Sequence, residues 1–275
     1  MTISIEINGQ TETVDINNPI DISIPLQFDG PQPNAYGVEP AVAKACRAGD
    51  LVGDTRRGGS CNFEQYTLIP HCNGTHTECV GHITLERISV ADCLRDVFLP
   101  ATLISVDPEN PGEARETYSV GFGENDRLIT KSVLETLLTD PANFNLLESA
   151  LIIRTLPNDN GKLTREYTDN VPPYFSNEAM DYIVSLGVKH LLIDTPSIDR
   201  LYDEGKLSNH RTFWGIEAGS FETNTATRLY CTITEMIYVP NDVEDGEYIL
   251  NLQLAPFAAD AAPSRPILFR LSKTS

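Results

Sequence analysis

Basic residues are scarce in this chain: 20 lysines and arginines face 39 aspartates and glutamates, a net charge of −19 over 275 residues. That balance argues against nucleic acid or an anionic membrane surface as a partner, because both select Lys/Arg-rich faces. No run approaches the ~18 uninterrupted apolar residues that a membrane span needs, so no membrane partner is expected. The N-terminal MTISIEINGQTETVDINNPIDISIPL lacks a basic stretch leading into an apolar one. It therefore reads as no signal peptide, and the expected location is cytoplasmic. On that reading the six cysteines are reduced thiols rather than a disulfide frame. The sequon Asn73-Gly74-Thr75 then reads as accidental. Fixed-period repeats, low-complexity tracts and an obvious linker are also missing.

What remains is the composition of a folded globular protein, with 41% hydrophobic residues. A chain of this length can bury about three quarters of its unfolded surface. Residues 2–7 and 11–16 alternate around Asn8-Gly9, a hairpin signal. DISIPLQF at 21–28 is a third strand candidate, and EPAVAKACRAG at 39–49 predicts a short helix ended by glycine. FEQYTLIP at 63–70 reads as a strand. ATLISV, SALIIRT and HLLID are compact apolar runs of the kind buried in a sheet. Between them, 125–139 and 176–187 predict helices, the second capped by Ser176 and stopped by Gly187. The last third returns to strands at 228–239, 247–256 and 265–271. The whole predicts a single α/β domain with a mostly β core.

Histidine is used sparingly here, and its distribution is uneven. Of five histidines, His71, His76 and His82 fall within HCNGTHTECVGH at 71–82, beside Cys72, Cys79 and Glu78. Cys72/His76 and Glu78/His82 are four apart, as on one helix face, whereas His76 and Glu78 are two apart, as on one strand face. No single regular element satisfies both spacings. A strand end that bends at Gly74 into a helical turn does, and it lets neighbouring side chains converge. Imidazole, carboxylate and thiolate together suit Zn²⁺, with Mn²⁺ possible but gaining less from a thiolate. The bland reading is a set of structural hydrogen-bonding histidines and core thiols.

The segment Cys72-Asn73-Gly74-Thr75-His76-Thr77-Glu78-Cys79-Val80-Gly81-His82 resembles the His-x-Gly-Thr-His-x-Asp-x-x-x-His motif of the cyclase-like metal hydrolases, which include bacterial kynurenine formamidases and isatin hydrolases. DISIPL, LLIDTPSIDR with NHRTF after it, TEMIYVPNDVEDGEYILNLQLAPF and SRPILF resemble further family blocks in order, so the likeness runs from about residue 20 to 270. It implies a swivelling β/β/α fold, a homodimer or homotetramer, one or two zinc ions and hydrolysis of formamides or cyclic amides. Residue by residue, it places metal ligands at Cys72, His76, Glu78, His210 and Glu235, and a general acid/base at His82. His71, one place early, is an alternative ligand to Cys72. Two departures stand out, Cys72 for His and Glu78 for Asp. The family's pocket tryptophan has no clear counterpart, and Tyr36 is the candidate substrate-binding residue in its place. Residues 1–20 read as an N-terminal hairpin extension and 214–228 as an insertion.

In such a site a cation lowers the pKa of a water toward ~7 and polarises the substrate carbonyl. His82 would take the proton and return it to the leaving nitrogen, help typically worth ~10²–10⁴-fold. Asp194 is a candidate partner fixing an imidazole tautomer, or a loop cap. His190 reads as structural, Cys46, Cys61, Cys93 and Cys231 as core residues, and Cys79 as packing. Arg56-Arg57 reads as a solvated loop ahead of an anion-recognition pair. Three rivals stay open: a catalytically inactive metal- or ligand-binding protein, a closed structural metal site, and a nucleophilic Cys72–His76 pair.

Overall fold

The computed structural model describes residues 2–7, 10–138 and 150–272. Eleven strands form one sheet, numbered here in chain order. They are β1 (Thr2–Ile7), β2 (Gln10–Asp15), β3 (Ile20–Asp21), β4 (His76–Glu78), β5 (Phe98–Val106) and β6 (Ala150–Thr155). The rest are β7 (His190–Ile193), β8 (Thr232–Glu235), β9 (Gly246–Asn251), β10 (Ala261–Pro263) and β11 (Ile267–Ser272). The spatial order is β1-β2-β11-β9-β5-β6-β7-β8-β4-β10, with β3 paired to β11.

β5, β6, β7 and β8 run parallel, in the centre of the sheet. Their apolar runs are continuous because both faces are covered. Leu151 and Ile153 join Ile104, Leu191 and Ile233 on one face, while Ala150 and Ile152 join Leu103 and Leu192 on the other. The helices are α1 (Pro70–Asn73), α2 (Val90–Cys93), α3 (Lys131–Leu138), α4 (Asn177–Ser185) and α5 (Ser208–Trp214), and the last three pack on the first face. The Ser176 hydroxyl accepts from the Ala179 N–H, and Gly187 leaves α4 at φ +79°, as the cap and stop signals require. The result is a mixed α/β single domain with a large sheet and few helices, the class predicted. No helix among the described residues is long and apolar enough to cross a membrane.

Differences from the sequence reading are local. Residues 39–49 form no helix: Val42–Ala45 pairs antiparallel with Glu64–Thr67, and Arg47–Ala48 with Leu51–Val52 around Gly49 at φ +60°. The alanines there have good helix propensity, but a neighbouring strand satisfies their backbone groups instead. The 125–139 helix is shorter, α3 alone, because Leu128–Ile129 pairs in parallel with Tyr174–Phe175; Thr139 lies outside the described residues. The Asn8-Gly9 turn also lies outside them, though β1 and β2 pair in the register Thr2↔Asp15 to Ile7↔Gln10. Strand β2 joins this hairpin to the sheet through β11.

One edge of the sheet positions the histidine segment. Beyond β8 the sheet ends in two three-residue strands, β4 and β10, both antiparallel to their neighbours. Their register sets Glu78 opposite Ile233 on one side and Ala261 on the other, and His76 opposite Glu235. Residues far apart in the chain are thereby locked within one side chain's reach.

Candidate functional site

The histidine segment is built in the reverse order to the one its spacing suggests. A helical turn, α1 (Pro70–Asn73), comes first, then Gly74 and Thr75, then β4, then a 3-10 turn at Val80–Ile83. Pro70 starts α1 where a missing N–H costs nothing. Gly74 is in extended backbone (φ 169°), so the bend owes nothing to glycine's left-handed freedom. Thr75 anchors the turn: its hydroxyl donates to the Met236 carbonyl and accepts from the Ile24 N–H at 2.8 Å.

This scaffold gathers four of the five histidines around two buried glutamates. The rings of His71 and His76 lie 5.1 Å apart, those of His71 and His82 4.4 Å, and those of His82 and His210 5.5 Å. Glu78 sits at the centre, fully buried. One of its oxygens, Oε1, lies 3.0 Å from His210 Nε2; the other, Oε2, lies 3.0 Å from His71 Nδ1 and 3.8 Å from His82 Nδ1. Glu235 Oε2 lies 3.4 Å from His76 Nε2, and its Oε1 accepts the Ile198 N–H at 2.9 Å. His76 is oriented by its own Nδ1, 3.0 Å from the Gly74 carbonyl.

Electrostatics follows from this crowding. Burial alone would raise Glu78, but the imidazoles of His82, His210 and His71 outweigh it and hold the carboxyl well below its usual range. Burial alone would depress His210, but Glu78 and Asp199 hold it well above its ordinary value. The same contest at His71, won by Asp260 and Glu78, raises it to about 10.

The donor set fits a cation. Two groups of ligand atoms, His76–Glu78–Glu235 and His71–Glu78–His82, each lie within 4.8 Å of one another. Within them His76 Nε2 and Glu78 Oε2 are buried and make no hydrogen bond, although His71 Nδ1 lies 3.0 Å from Glu78 Oε2. A buried nitrogen and a buried carboxylate oxygen left without hydrogen bonds are costly unless something else satisfies them. Imidazole with carboxylate suits a borderline divalent ion such as zinc, or manganese.

The comparisons agree with this architecture. Residues 14–200 match the family model described as "Putative cyclase". The chain belongs to the cyclase family. Among curated relatives, the kynurenine formamidase of Bacillus cytotoxicus is 24% identical over 261 residues, spanning 94% of this chain and 97% of its own. A kynurenine formamidase of Bacillus cereus is 26% identical over 262 residues, with the same coverage. An isatin hydrolase solved with the product analogue thioisatinate has a TM-score of 0.62 at 13% identity, over 93% of each chain. A structure described as a potential metal-dependent hydrolase with cyclase activity has a TM-score of 0.59 at 17% identity, over 92% of this chain and 98% of its own. At these identities the solved structures speak for a shared fold.

Of the residues singled out in this cyclase-family chain, His71, His76, Glu78, His82, His210 and Glu235 come together. Cys72 falls outside both ligand groups. It packs with Ile24, Ala35 and Met236, and burial with the nearby Glu235 charge pushes its thiol up to about 11. A helical turn points consecutive side chains apart, so with Cys72 facing the core its neighbour His71 faces Glu78. Tyr36 stands at φ +61°, edge-on to Tyr202 at 6.1 Å, its phenol raised by burial and then by Glu235. Trp214 closes α5 in the core, its indole donating to the Cys231 carbonyl at 2.9 Å, and 215–228 continue as turns and irregular chain.

Other candidates move away. Asp194 reaches no histidine; it pairs with Lys162 at 2.7 Å and accepts from Thr155. His190 is a buried structural residue between Thr232 and Asp96. Cys79 packs with Val90, Cys93 and Ala262. Cys61 is exposed and Cys46 half-buried, so only Cys93 and Cys231 of the four expected core thiols are core. Arg56 is exposed and pairs with Asp54.

Two carboxylates escape the sequence reading. Asp199 Oδ2 lies 2.6 Å from His210 Nδ1 and accepts the His210 N–H, while its Oδ1 accepts the Asn209 N–H, both at the start of α5. It therefore fixes both the helix and the ring that the helix carries. Tyr118 donates to Oδ1 at 2.7 Å. Asp199 stands in the block IDTPSIDR, five residues from Asp194, and local spacing has no means of choosing between them. Asp260 Oδ2 lies 3.0 Å from His71 Nε2 and 3.4 Å from His82 Nδ1.

Proposed function

We propose that this protein is a metal-dependent hydrolase of amide-like bonds, acting on formamides or cyclic amides. The observation that carries it is the convergence of four histidines on Glu78 and Glu235, with His76 Nε2 and Glu78 Oε2 buried and making no hydrogen bond. Support comes also from relatives named as kynurenine formamidases and isatin hydrolases.

In this reading His76, Glu78, His210 and Glu235 hold zinc or manganese. When bound, the ion supplies Lewis-acid polarisation and a water acidic enough to ionise near neutral pH. The protein's residues do the rest. Asp199 on His210 Nδ1 directs Nε2 to the site, and the Gly74 carbonyl does the same for His76. His82 presents Nδ1 to carboxylates, so Nδ1 keeps its hydrogen and Nε2 is the nitrogen that takes a proton and returns it to the leaving nitrogen. Its side chain is 27% exposed against 0% for His76 and Glu78, as befits a group that meets substrate. Tyr36 and Tyr202 would wall the substrate's ring.

The test is elemental analysis of untagged protein and of Glu235→Gln, followed by hydrolysis of formanilide and isatin. About one or two equivalents of zinc or manganese, reduced in the variant, with turnover of either amide, is expected. Absence of metal after reconstitution would hand the fold to a ligand-binding role. A second prediction concerns the departure from the motif. Cys72→Ser should leave cation content unchanged, whereas His71→Ala should lower it or weaken turnover at least tenfold. Loss of cation in Cys72→Ser with none in His71→Ala would return the ligand position to Cys72.

A further inference from the structure

Asp260 is placed with more care than a loop carboxylate needs. It precedes β10, whose pairing with β4 sets Ala261 opposite Glu78. Its own carbonyl accepts the Cys79 N–H at 3.0 Å, and the preceding Ala259 carbonyl accepts the Val90 N–H at 2.8 Å. Backbone at Asp260 and Ala261 is therefore pinned to the histidine segment, and at Ala259 to the helical turn Val90–Cys93. The consequence is that one oxygen, Oδ2, faces both His71 Nε2 and His82 Nδ1, at 3.0 and 3.4 Å. The two rings sit almost parallel, inclined by 30° with centroids 4.4 Å apart. His71 is held on its other nitrogen by buried Glu78, whose Oε2 lies 3.0 Å from Nδ1. Glu78 Oε2 reaches His82 Nδ1 only at 3.8 Å, too far for a hydrogen bond.

We propose that Asp260 is a positioning residue: it holds His71 and His82 as a pair over Glu78 and fixes the Nδ1–H tautomer of His82. This rests on the reading of His82 as the acid/base group. Free imidazole favours the other tautomer, with hydrogen on Nε2, which would turn a donor rather than a lone pair toward an attacking water. A carboxylate at Nδ1 reverses that preference at no cost in reach, because it acts from the side away from substrate. Asp260 itself touches no reacting atom.

The experiment uses zinc-loaded full-length protein with Asp260→Asn and Asp260→Ala. Steady-state hydrolysis of formanilide and isatin should show kcat lowered about 10–100-fold, KM within about threefold, and zinc content unchanged. Long-range ¹H–¹⁵N spectra of ¹⁵N-histidine protein, with His82 assigned by its absence in His82→Gln, should show hydrogen on Nδ1 in the parent. In Asp260→Ala the hydrogen should move mainly to Nε2. Wild-type kcat in both variants, or zinc lost in step with activity, would overturn the proposal, as would an unchanged His82 tautomer. If the parent protein hydrolyses neither amide, the hydrolase reading fails, while the spectra still decide whether Asp260 sets the ring.

Discussion

Glu78→Gln is expected to strip the cation and to lower turnover by on the order of 10³-fold, since loss of metal polarisation is worth several kcal/mol and each ~1.4 kcal/mol is tenfold. Glu78 lies at the centre of the site. Its two oxygens face His210, His71 and His82, and it belongs to both groups of candidate ligands. The amide removes the negative charge and turns one oxygen into a donor aimed at imidazole nitrogens. On the Oε2 side, where His71 Nδ1 lies 3.0 Å away, the amide withdraws the charge that holds this imidazole. Glu78→Asp is the informative control. It keeps the charge, restores the residue type of the motif that this segment resembles and shortens the reach by one methylene. Cation retained in Glu78→Asp and lost in Glu78→Gln, by elemental analysis, would fit a charge-bearing ligand. Full cation content in Glu78→Gln would sink that role.

The same residue shows how unevenly the site can be read. His71, His76, Glu78 and His82 are visible because a scarce residue is concentrated within twelve positions. His210 and Glu235 come only through resemblance, since nothing local marks them. Asp199 and Asp260 are invisible for different reasons. Asp199 is one of two similar aspartates in a loop, and the choice between them is made by where α5 begins. Asp260 reaches the site only because three-residue strands at the sheet edge pair in one register. Strands that short carry no alternation to read.

The fold shows a similar division. The parallel strands announce themselves because burial on both faces demands unbroken apolar runs, and ATLISV, SALIIRT and HLLID have them. Residues 39–49 mislead because propensity is local and pairing is not. An alanine-rich stretch becomes a strand once Glu64–Thr67 lies beside it. At Cys72 a motif aligns positions, while side-chain direction in a one-turn helix sets His71 beside Glu78 and packs Cys72 with Ile24, Ala35 and Met236.

The largest stability effect is expected away from the chemistry, at the buried pair that holds Asp194. Lys162 is 4% exposed, and its ammonium donates to the Thr155 carbonyl at 2.6 Å and its hydroxyl at 3.0 Å, to Asn158 Oδ1 at 3.3 Å and to Asp194 at 2.7 Å. Asp194 is equally buried and accepts the Thr155 N–H and hydroxyl at 2.9 and 2.8 Å, tying the ends of β6 and β7 together. Burial works to raise the Asp194 carboxyl, and its pull exceeds that of Lys162, so the carboxylate depends on its partner to stay charged. Lys162→Met removes the cation and leaves the buried carboxylate with the Thr155 N–H and hydroxyl alone to hold its charge. The expected cost is about 3–5 kcal/mol, which for a domain of this size lowers Tm by about 5–9 °C. Asp194→Asn in the same chain removes the stranded charge, so the double variant should recover much of that loss even though both ionic groups are gone. Thermal unfolding of the four proteins, with the cation state held constant, measures the coupling directly. If Lys162→Met unfolds within about 1 kcal/mol of the parent, water reaches this pair and it is no buried ion pair at all.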